Sequence, residues 1–207
     1  MTPPGRTMAT VGVLALQGAA RAHRRMLEHL GVSVREVRRP AHLDDVEALV
    51  IPGGESTTIS LLLDRSGLRH PLVERLSGGM AVLGTCAGAI LLASDVRDGR
   101  DDRPGLDVLD MTVRRNGFGR QLASFEADLS LELDPPLGGS SRAVFIRAPR
   151  IERVGPGIEV VARYGGEPVA VAAGGVWATT FHPELTDDLR LHRAWLESTN
   201  REARKLA

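Results

Sequence analysis

After a polar start the chain runs through Val11-Gly12-Val13-Leu14-Ala15-Leu16 without a charged residue. An uninterrupted apolar run of that length predicts a strand covered on both faces, as in a parallel sheet. Gln17-Gly18 ends it, and the period then changes. From Ala19 to Leu30 the apolar residues Ala22, Met26, Leu27 and Leu30 share one face of a predicted helix, with Arg21, Arg24, Arg25 and Glu28 largely opposite. Gly31 stops it. Val32 to Val37 alternates as a second strand, and Ala48-Leu49-Val50-Ile51 forms a third, closed by Pro52. Helices are expected from about Ile59 to Asp64, with Ser56 or Thr57 as N-cap, and over Leu68 to Leu76. A buried strand, Met80 to Leu83, and the first turns of another helix from Ala89 follow. This order is the opening of a parallel α/β sheet.

Beyond Leu106 the pattern shortens. Strands are expected at Val108–Thr112, Leu122–Leu133, Ala143–Ile146, Ile158–Ala162, Val169–Ala173 and Val176–Phe181, separated by turns rich in Gly and Pro. They read as antiparallel edges or a small flap beside the parallel core. Thr186-Asp187-Asp188 offers a cap for a closing helix to about Arg204, apolar at Leu189, Leu191, Trp195 and Leu196. No linker or repeat divides the chain. The expected fold is α/β and three-layered: a flavodoxin-like, mostly parallel sheet with helices on both faces and added antiparallel edge strands. It forms a single domain over 9–207, after a disordered extension over 1–8 in which Met8 is an alternative start.

Composition narrows the classes of function. The chain has 26 basic and 26 acidic residues, so its formal net charge is zero and no global field favours nucleic acid or an acidic membrane surface. No stretch approaches the roughly 20 apolar residues of a membrane helix. A single cysteine excludes an intrachain disulfide framework and a cysteine-rich zinc site, and it fits a reducing, cytoplasmic setting. No metal or cofactor is expected.

That cysteine is the centre of the candidate chemistry. Gly84-Thr85-Cys86-Ala87-Gly88 joins the Met80–Leu83 strand to a helix, and a cysteine between two glycines at such a junction has the form of a nucleophile elbow. The helix start beyond it favours the thiolate. By itself the motif fits a small buried thiol equally well. A nucleophilic cysteine also needs a base, a group to orient the base, and oxyanion donors. His182 follows an apolar strand as His182-Pro183-Glu184, at the end where parallel sheets build their sites. Pro52-Gly53-Gly54-Glu55-Ser56-Thr57-Thr58 is a Gly-rich loop between strand and helix, suited to oxyanion binding through backbone N–H groups. It lacks the Gly-Lys-Ser/Thr of a phosphate loop.

Together these three elements resemble the class I glutamine amidotransferase family. The resemblance narrows to its branch serving pyridoxal 5′-phosphate synthase. Val13-Leu14-Ala15-Leu16-Gln17-Gly18, Arg115-Asn116-Gly117-Phe118-Gly119-Arg120-Gln121, Ser124-Phe125-Glu126, Phe145-Ile146-Arg147-Ala148-Pro149 and Phe181-His182-Pro183-Glu184-Leu185-Thr186 carry it, over about Val11 to His192. Gly117 departs, standing where relatives more often have a small side chain.

The resemblance implies a glutaminase. Cys86 would attack the carboxamide of L-glutamine, His182 would move protons, and Glu184 would orient His182. The backbone N–H groups of Ala87 and Gly54 would form the oxyanion hole. Gly54, Glu55, Ser56, Arg115, Ile146 and Arg147 would line the glutamine site. Free glutamine presents a carboxylate and an ammonium, so Arg115 or Arg147 suits the first and Glu55 the second, with Arg120 a weaker candidate. Glu55 equally suits the start of the helix beside it. The partner implied is the synthase subunit, built as a (β/α)8 barrel in a ring assembly. Gln17-Gly18 and the helix face bearing Arg21, Arg24 and Arg25 are the candidate docking surface, or simply a solvated face. Rival readings are another class I glutaminase, a cysteine peptidase or ester hydrolase, and a non-catalytic regulatory protein.

Overall fold

The computed structural model describes residues 10–99, 105–117, 124–132 and 139–205. The expected extension over 1–8, most of the polar 98–105 loop, and Phe118 to Gln121, including Arg120, lie outside them.

Strands β1 (Val11–Leu14), β2 (Val34–Val37), β3 (Ala48–Ile51) and β4 (Ala81–Thr85) form the parallel core. Helices α1 (Ala20–His29), α2 (Ser56–Arg65) and α3 (Arg69–Ser77) connect them. After β4 comes the six-residue α4 (Ala87–Leu92), which passes directly into β5 (Ala93–Arg97). Then follow β6 (Leu109–Arg114), β7 (Ser124–Ser130), β8 (Ser140–Ile146), β9 (Arg150–Val154), β10 (Glu159–Tyr164), β11 (Glu167–Ala173) and β12 (Val176–Thr179). A 3-10 turn at Pro183–Leu185 and helix α5 (Arg190–Lys205) complete the described chain.

The main sheet runs β10-β11-β12-β4-β3-β1-β2. Its parallel part, β2-β1-β3-β4-β12, has the doubly wound order of the flavodoxin-like fold. Strands β11 and β10 extend it as antiparallel edges. Two smaller sheets, β5-β6-β9 and the β7-β8 hairpin, stand beside it.

Alternation inside the apolar runs feeds two cores. Val11, Val13, Ala48 and Val50 pack with Leu27, Leu191 and Trp195 from α1 and α5. Leu14, Leu49 and Ile51 pack with Ile59, Leu63, Leu72 and Leu91 from α2, α3 and α4. Helices therefore cover both faces, which is why these strands carry no polar face.

Four details differ from the sequence reading. Strands β5 and β9 were not expected; β5 has only its first residue, Ala93, fully buried, and β9 is charged at Arg150, Glu152 and Arg153, so neither shows a strand's apolar signature. The cap of α2 is Glu55, not Ser56 or Thr57: its side chain accepts from the N–H groups of Thr57 and Thr58. Helix α5 starts at Arg190, because Pro183–Leu185 forms its own turn and Asp188 accepts from the Arg190 N–H. The inward face of α1 is rotated, burying Ala20 and His23 with Met26 and Leu27 while Ala22 and Leu30 are half-buried.

Candidate active site

The parallel strands deliver their loops to one end of the sheet. Thr85 pairs with Thr179 and Gly84 with Ile51, so the loops after β3, β4 and β12 meet side by side. Cys86 follows β4 directly and donates its backbone N–H to Thr179 O at 2.8 Å. Its φ of 49° and ψ of −101° are rare for a side-chain-bearing residue and mark a tight elbow. The flanking glycines permit close approach. A Cβ on Gly88 would lie 2.1 Å from Ile51 O, and one on Gly84 would lie 2.7 Å from the Gly88 carbonyl carbon.

His182 lies against Cys86, and Glu184 lies behind His182. His182 donates its N–H to Val144 O at 2.8 Å, and its Nδ1 lies 2.7 Å from Glu184 Oε1. A carboxylate only accepts, so Nδ1 carries the proton and Nε2 is left for the cysteine. Burial pushes the imidazole pKa down, but hydrogen bonds with Cys86 and Glu184, and the Glu184 charge, outweigh it and raise it to about 10. Burial pushes Glu184 up, and the attraction of His23 in its protonated form, followed by the His182 contact, more than reverses this, holding it below the usual carboxylate range. The Cys86 thiol points toward Ile146 O, 3.9 Å away.

The Gly-rich loop lies against this group. A Cβ on Gly53 would come 2.3 Å from His182 Cε1 and 3.3 Å from Cys86 Cβ. Gly53 donates its N–H to Thr85 Oγ1 at 3.0 Å, and its carbonyl accepts from the Ala19 N–H at 3.2 Å. Gly54, the next residue, is exposed. Ala87 opens α4, so its N–H has no intrahelical acceptor and is free to face a ligand.

Glu55 serves the helix start. Oε1 accepts from Thr57 N at 3.1 Å, and Oε2 from Thr58 N at 2.6 Å and Thr58 Oγ1 at 2.7 Å. Burial pushes its carboxyl up, yet these bonds prevail and hold its pKa at about 2. Arg115 reaches across from the end of β6 to Glu55 Oε1 at 3.2 Å. Ser56 is buried in the first turn of α2, while Ile146 and Arg147 are exposed at the end of β8, Arg147 with φ 43°.

The residues assigned by resemblance thus gather around one sheet end. Four further residues belong to it. Gln17 Oε1 accepts from Glu55 N at 3.0 Å, tying the loop after β1 to the Gly-rich loop. Thr85, His23 and His192 form a polar group beside Glu184. The signal for His23 was its place on the buried stripe of α1, three residues from Ala20 and four from Leu27.

Residues 13–201 match the SNO glutamine amidotransferase family. The chain belongs to that family. It is 55% identical over 192 residues to the pyridoxal 5′-phosphate synthase subunit PdxT of Mycolicibacterium vanbaalenii, covering 91% of this chain and 96% of that protein. The PdxT of Deinococcus radiodurans is 54% identical over 191 residues, covering 90% and 95%. A crystal structure of a glutamine amidotransferase superposes with a TM-score of 0.84 at 50% identity, covering 91% of this chain and 98% of its own. The PurLQS structure from Thermotoga maritima contains a chain that, at 17% identity and a TM-score of 0.65, shares the fold over 95% of this chain and 97% of its own. Among the described residues no helix is long and apolar enough to cross a membrane.

Proposed function

We propose that this chain is the glutaminase subunit of a pyridoxal 5′-phosphate synthase, hydrolysing L-glutamine to L-glutamate and ammonia. The observation that carries the chemistry is the convergence of Cys86, His182 and Glu184 from two adjacent strand ends, with the base oriented by a 2.7 Å contact. The Cys86 thiol passes its proton to His182 Nε2 as the sulfur attacks the side-chain carboxamide carbon of glutamine. The carbonyl oxygen becomes an oxyanion that the Ala87 and Gly54 N–H groups stabilise. His182 then protonates the leaving nitrogen, the C–N bond breaks, and ammonia departs from a thioester. Water, deprotonated by His182, attacks that thioester and releases glutamate with the thiol restored. Glu184 keeps the imidazole in the tautomer both steps require.

Arg115 and Arg147 supply cations for the substrate carboxylate, and Gly54, Glu55, Ser56 and Ile146 shape the pocket. The ammonia passes to a separate synthase subunit, built as a (β/α)8 barrel in a ring assembly. The helix face bearing Arg21, Arg24 and Arg25 is offered to it. Residues 9–207 act as one cytoplasmic domain. The test is ammonia release from glutamine by the full chain, alone and with the synthase subunit. The reading expects low activity alone, a rise with the partner, and none from Cys86→Ala in either case. Unchanged release by Cys86→Ala would refute the mechanism, and full activity from the isolated chain would refute partner gating.

A further inference from the structure

Glu184 has a second carboxylate oxygen, and the proposed reaction gives it no task. Glu184 Oε2 is buried, lies 3.3 Å from His23 Nε2, and has no aligned hydrogen-bond donor. His23 Nε2 also lies 3.1 Å from Thr85 Oγ1, within hydrogen-bond geometry. The other ring nitrogen, Nδ1, lies 2.9 Å from Nε2 of His192. Both histidines are fully buried, one on α1 and one on α5, 169 residues apart in sequence. Two buried imidazoles on separate helices, one touching the relay carboxylate, are expensive to desolvate without a purpose.

Their protons can be assigned from the contacts. Burial lowers the pKa of His23, with Glu184 opposing and His182 adding to the shift. Burial and His23 lower that of His192 to about 3, against Glu184 and Asp188. Each ring is therefore neutral near pH 7 and carries one proton. If His23 held its proton on Nδ1, its Nε2 lone pair would face the carboxylate oxygen, and His192 would bury an N–H on Nδ1 with no acceptor. In the opposite arrangement His192 Nε2–H donates to His23 Nδ1, and His23 Nε2–H faces both Glu184 Oε2 and Thr85 Oγ1. Only a lone pair, on His192 Nδ1, is then left over. Thr85 Oγ1 also receives the Gly53 N–H, so His23 touches the supports of both the relay and the Gly-rich loop.

We propose that His23, with its tautomer fixed by His192, is a positioning residue that holds Glu184 and, through Thr85, the Gly53 loop. The proposal rests on Cys86, His182 and Glu184 acting as the hydrolytic relay. It predicts that His23→Leu lowers kcat ~10- to 100-fold with KM little changed, the scale seen when outer supports of a site are removed. Having lost a facing N–H, Glu184 takes a proton at higher pH, and the acid limb of kcat/KM moves up. The titratable and charged groups packed around this pair are Cys86, His182 and His192, with Asp188 more distant. His23→Gln keeps an N–H near the Nε2 position and is expected to recover most of kcat and the wild-type limb.

The experiment measures glutamine hydrolysis against pH by wild type and both variants in complex with the synthase subunit. Nitrogen-15 NMR of the histidine rings in the wild-type full chain accompanies it. A proton on Nε2 of both His23 and His192 supports the proposal. An unprotonated His23 Nε2, an unimpaired His23→Leu, or equal loss in both variants with an unmoved pH limb overturns it. The tautomer measurement needs neither turnover nor a folded variant. A wild type that does not hydrolyse glutamine refutes the glutaminase reading, and is told apart from a failure of this one.

Discussion

Gly53→Ala isolates the geometry of the site from its chemistry. Gly53 does not need a glycine-only backbone conformation, so alanine is acceptable to the chain itself. The difficulty is its new Cβ, placed 2.3 Å from His182 Cε1 and 2.8 Å from Nδ1. To restore an ordinary contact near 3.4 Å the imidazole must retreat by about 1 Å. That displacement acts on a ring held by a 2.7 Å bond to Glu184 Oε1, so the relay stretches or the ring tilts away from the sulfur. Misplacing a reacting group by 1 Å costs ~100-fold in rate. Overpacking of this kind costs about 1–3 kcal/mol of stability, which lowers the melting temperature without unfolding a domain of this size. The assay is ammonia release at saturating glutamine in the synthase complex, with a thermal melt of the same preparation. A kcat reduced ~100-fold with a cooperative melt is expected. A kcat within a few-fold of wild type would refute the claim that Gly53 is a glycine because His182 needs its space.

Other perturbations test other parts of the site. Cys86→Ala and Cys86→Gly are both expected to be inactive, but the glycine variant relieves the φ of 49° and is expected to be more stable than the alanine variant by about 1 kcal/mol, read from melting temperatures. Glu55→Ala removes the acceptor of the Thr57 and Thr58 N–H groups and is expected to cost about 1 kcal/mol in urea unfolding; an unchanged midpoint would deny Glu55 its capping role. His192 has a folded pKa of about 3 against 6.5 unfolded, so the unfolded chain binds the extra proton. Its contribution is intact above pH 6.5 and is lost as pH falls toward 3, at up to about 1.4 kcal/mol per pH unit. His192→Gln, which keeps a donor toward His23, should flatten the slope of unfolding free energy between pH 6.5 and 5, and an unchanged slope would contradict the burial argument. Arg115→Met is expected to raise KM for glutamine about 10-fold or more with kcat little changed, the loss of a charge-assisted contact; an unchanged KM would remove Arg115 from the pocket.

The elements most legible in the sequence were those whose burial is uniform. Ala48 to Ile51 is buried at every position and was readable to the residue, because a strand covered on both faces has nowhere to place a polar side chain. The elbow was legible because two glycines and a cysteine meet a strand end, a pattern that close backbone approach requires. β9 escaped because its exposed positions carry Arg150, Glu152 and Arg153, so its pairing with β6 leaves little apolar mark. His23 and His192 escaped for a different reason. Each lies on a buried helical stripe, where a polar residue reads as an interruption of the core. Only the tertiary structure brings the two interruptions together beside a third, Glu184.

The acceptor for glutamine's ammonium is where the structure most changes the sequence reading. Glu55 was eligible both for that role and for the start of α2. Its two oxygens are now occupied by Thr57 N, Thr58 N, Thr58 Oγ1 and Arg115 Nη2. A carboxylate offers about four lone-pair positions, so little acceptor capacity remains for an ammonium. Holding its pKa near 2, these donors also make Glu55 a fixed anion at any working pH. A fixed anion beside Arg115 orients the guanidinium, and only one of the five N–H donors is spent on Oε1. Among the described residues no other side chain is seen to take the remaining donors, which would suit a carboxylate. In the proposed glutaminase the pair would therefore act in the order helix start, Glu55, Arg115, substrate carboxylate, with little of Glu55 left to offer the ammonium.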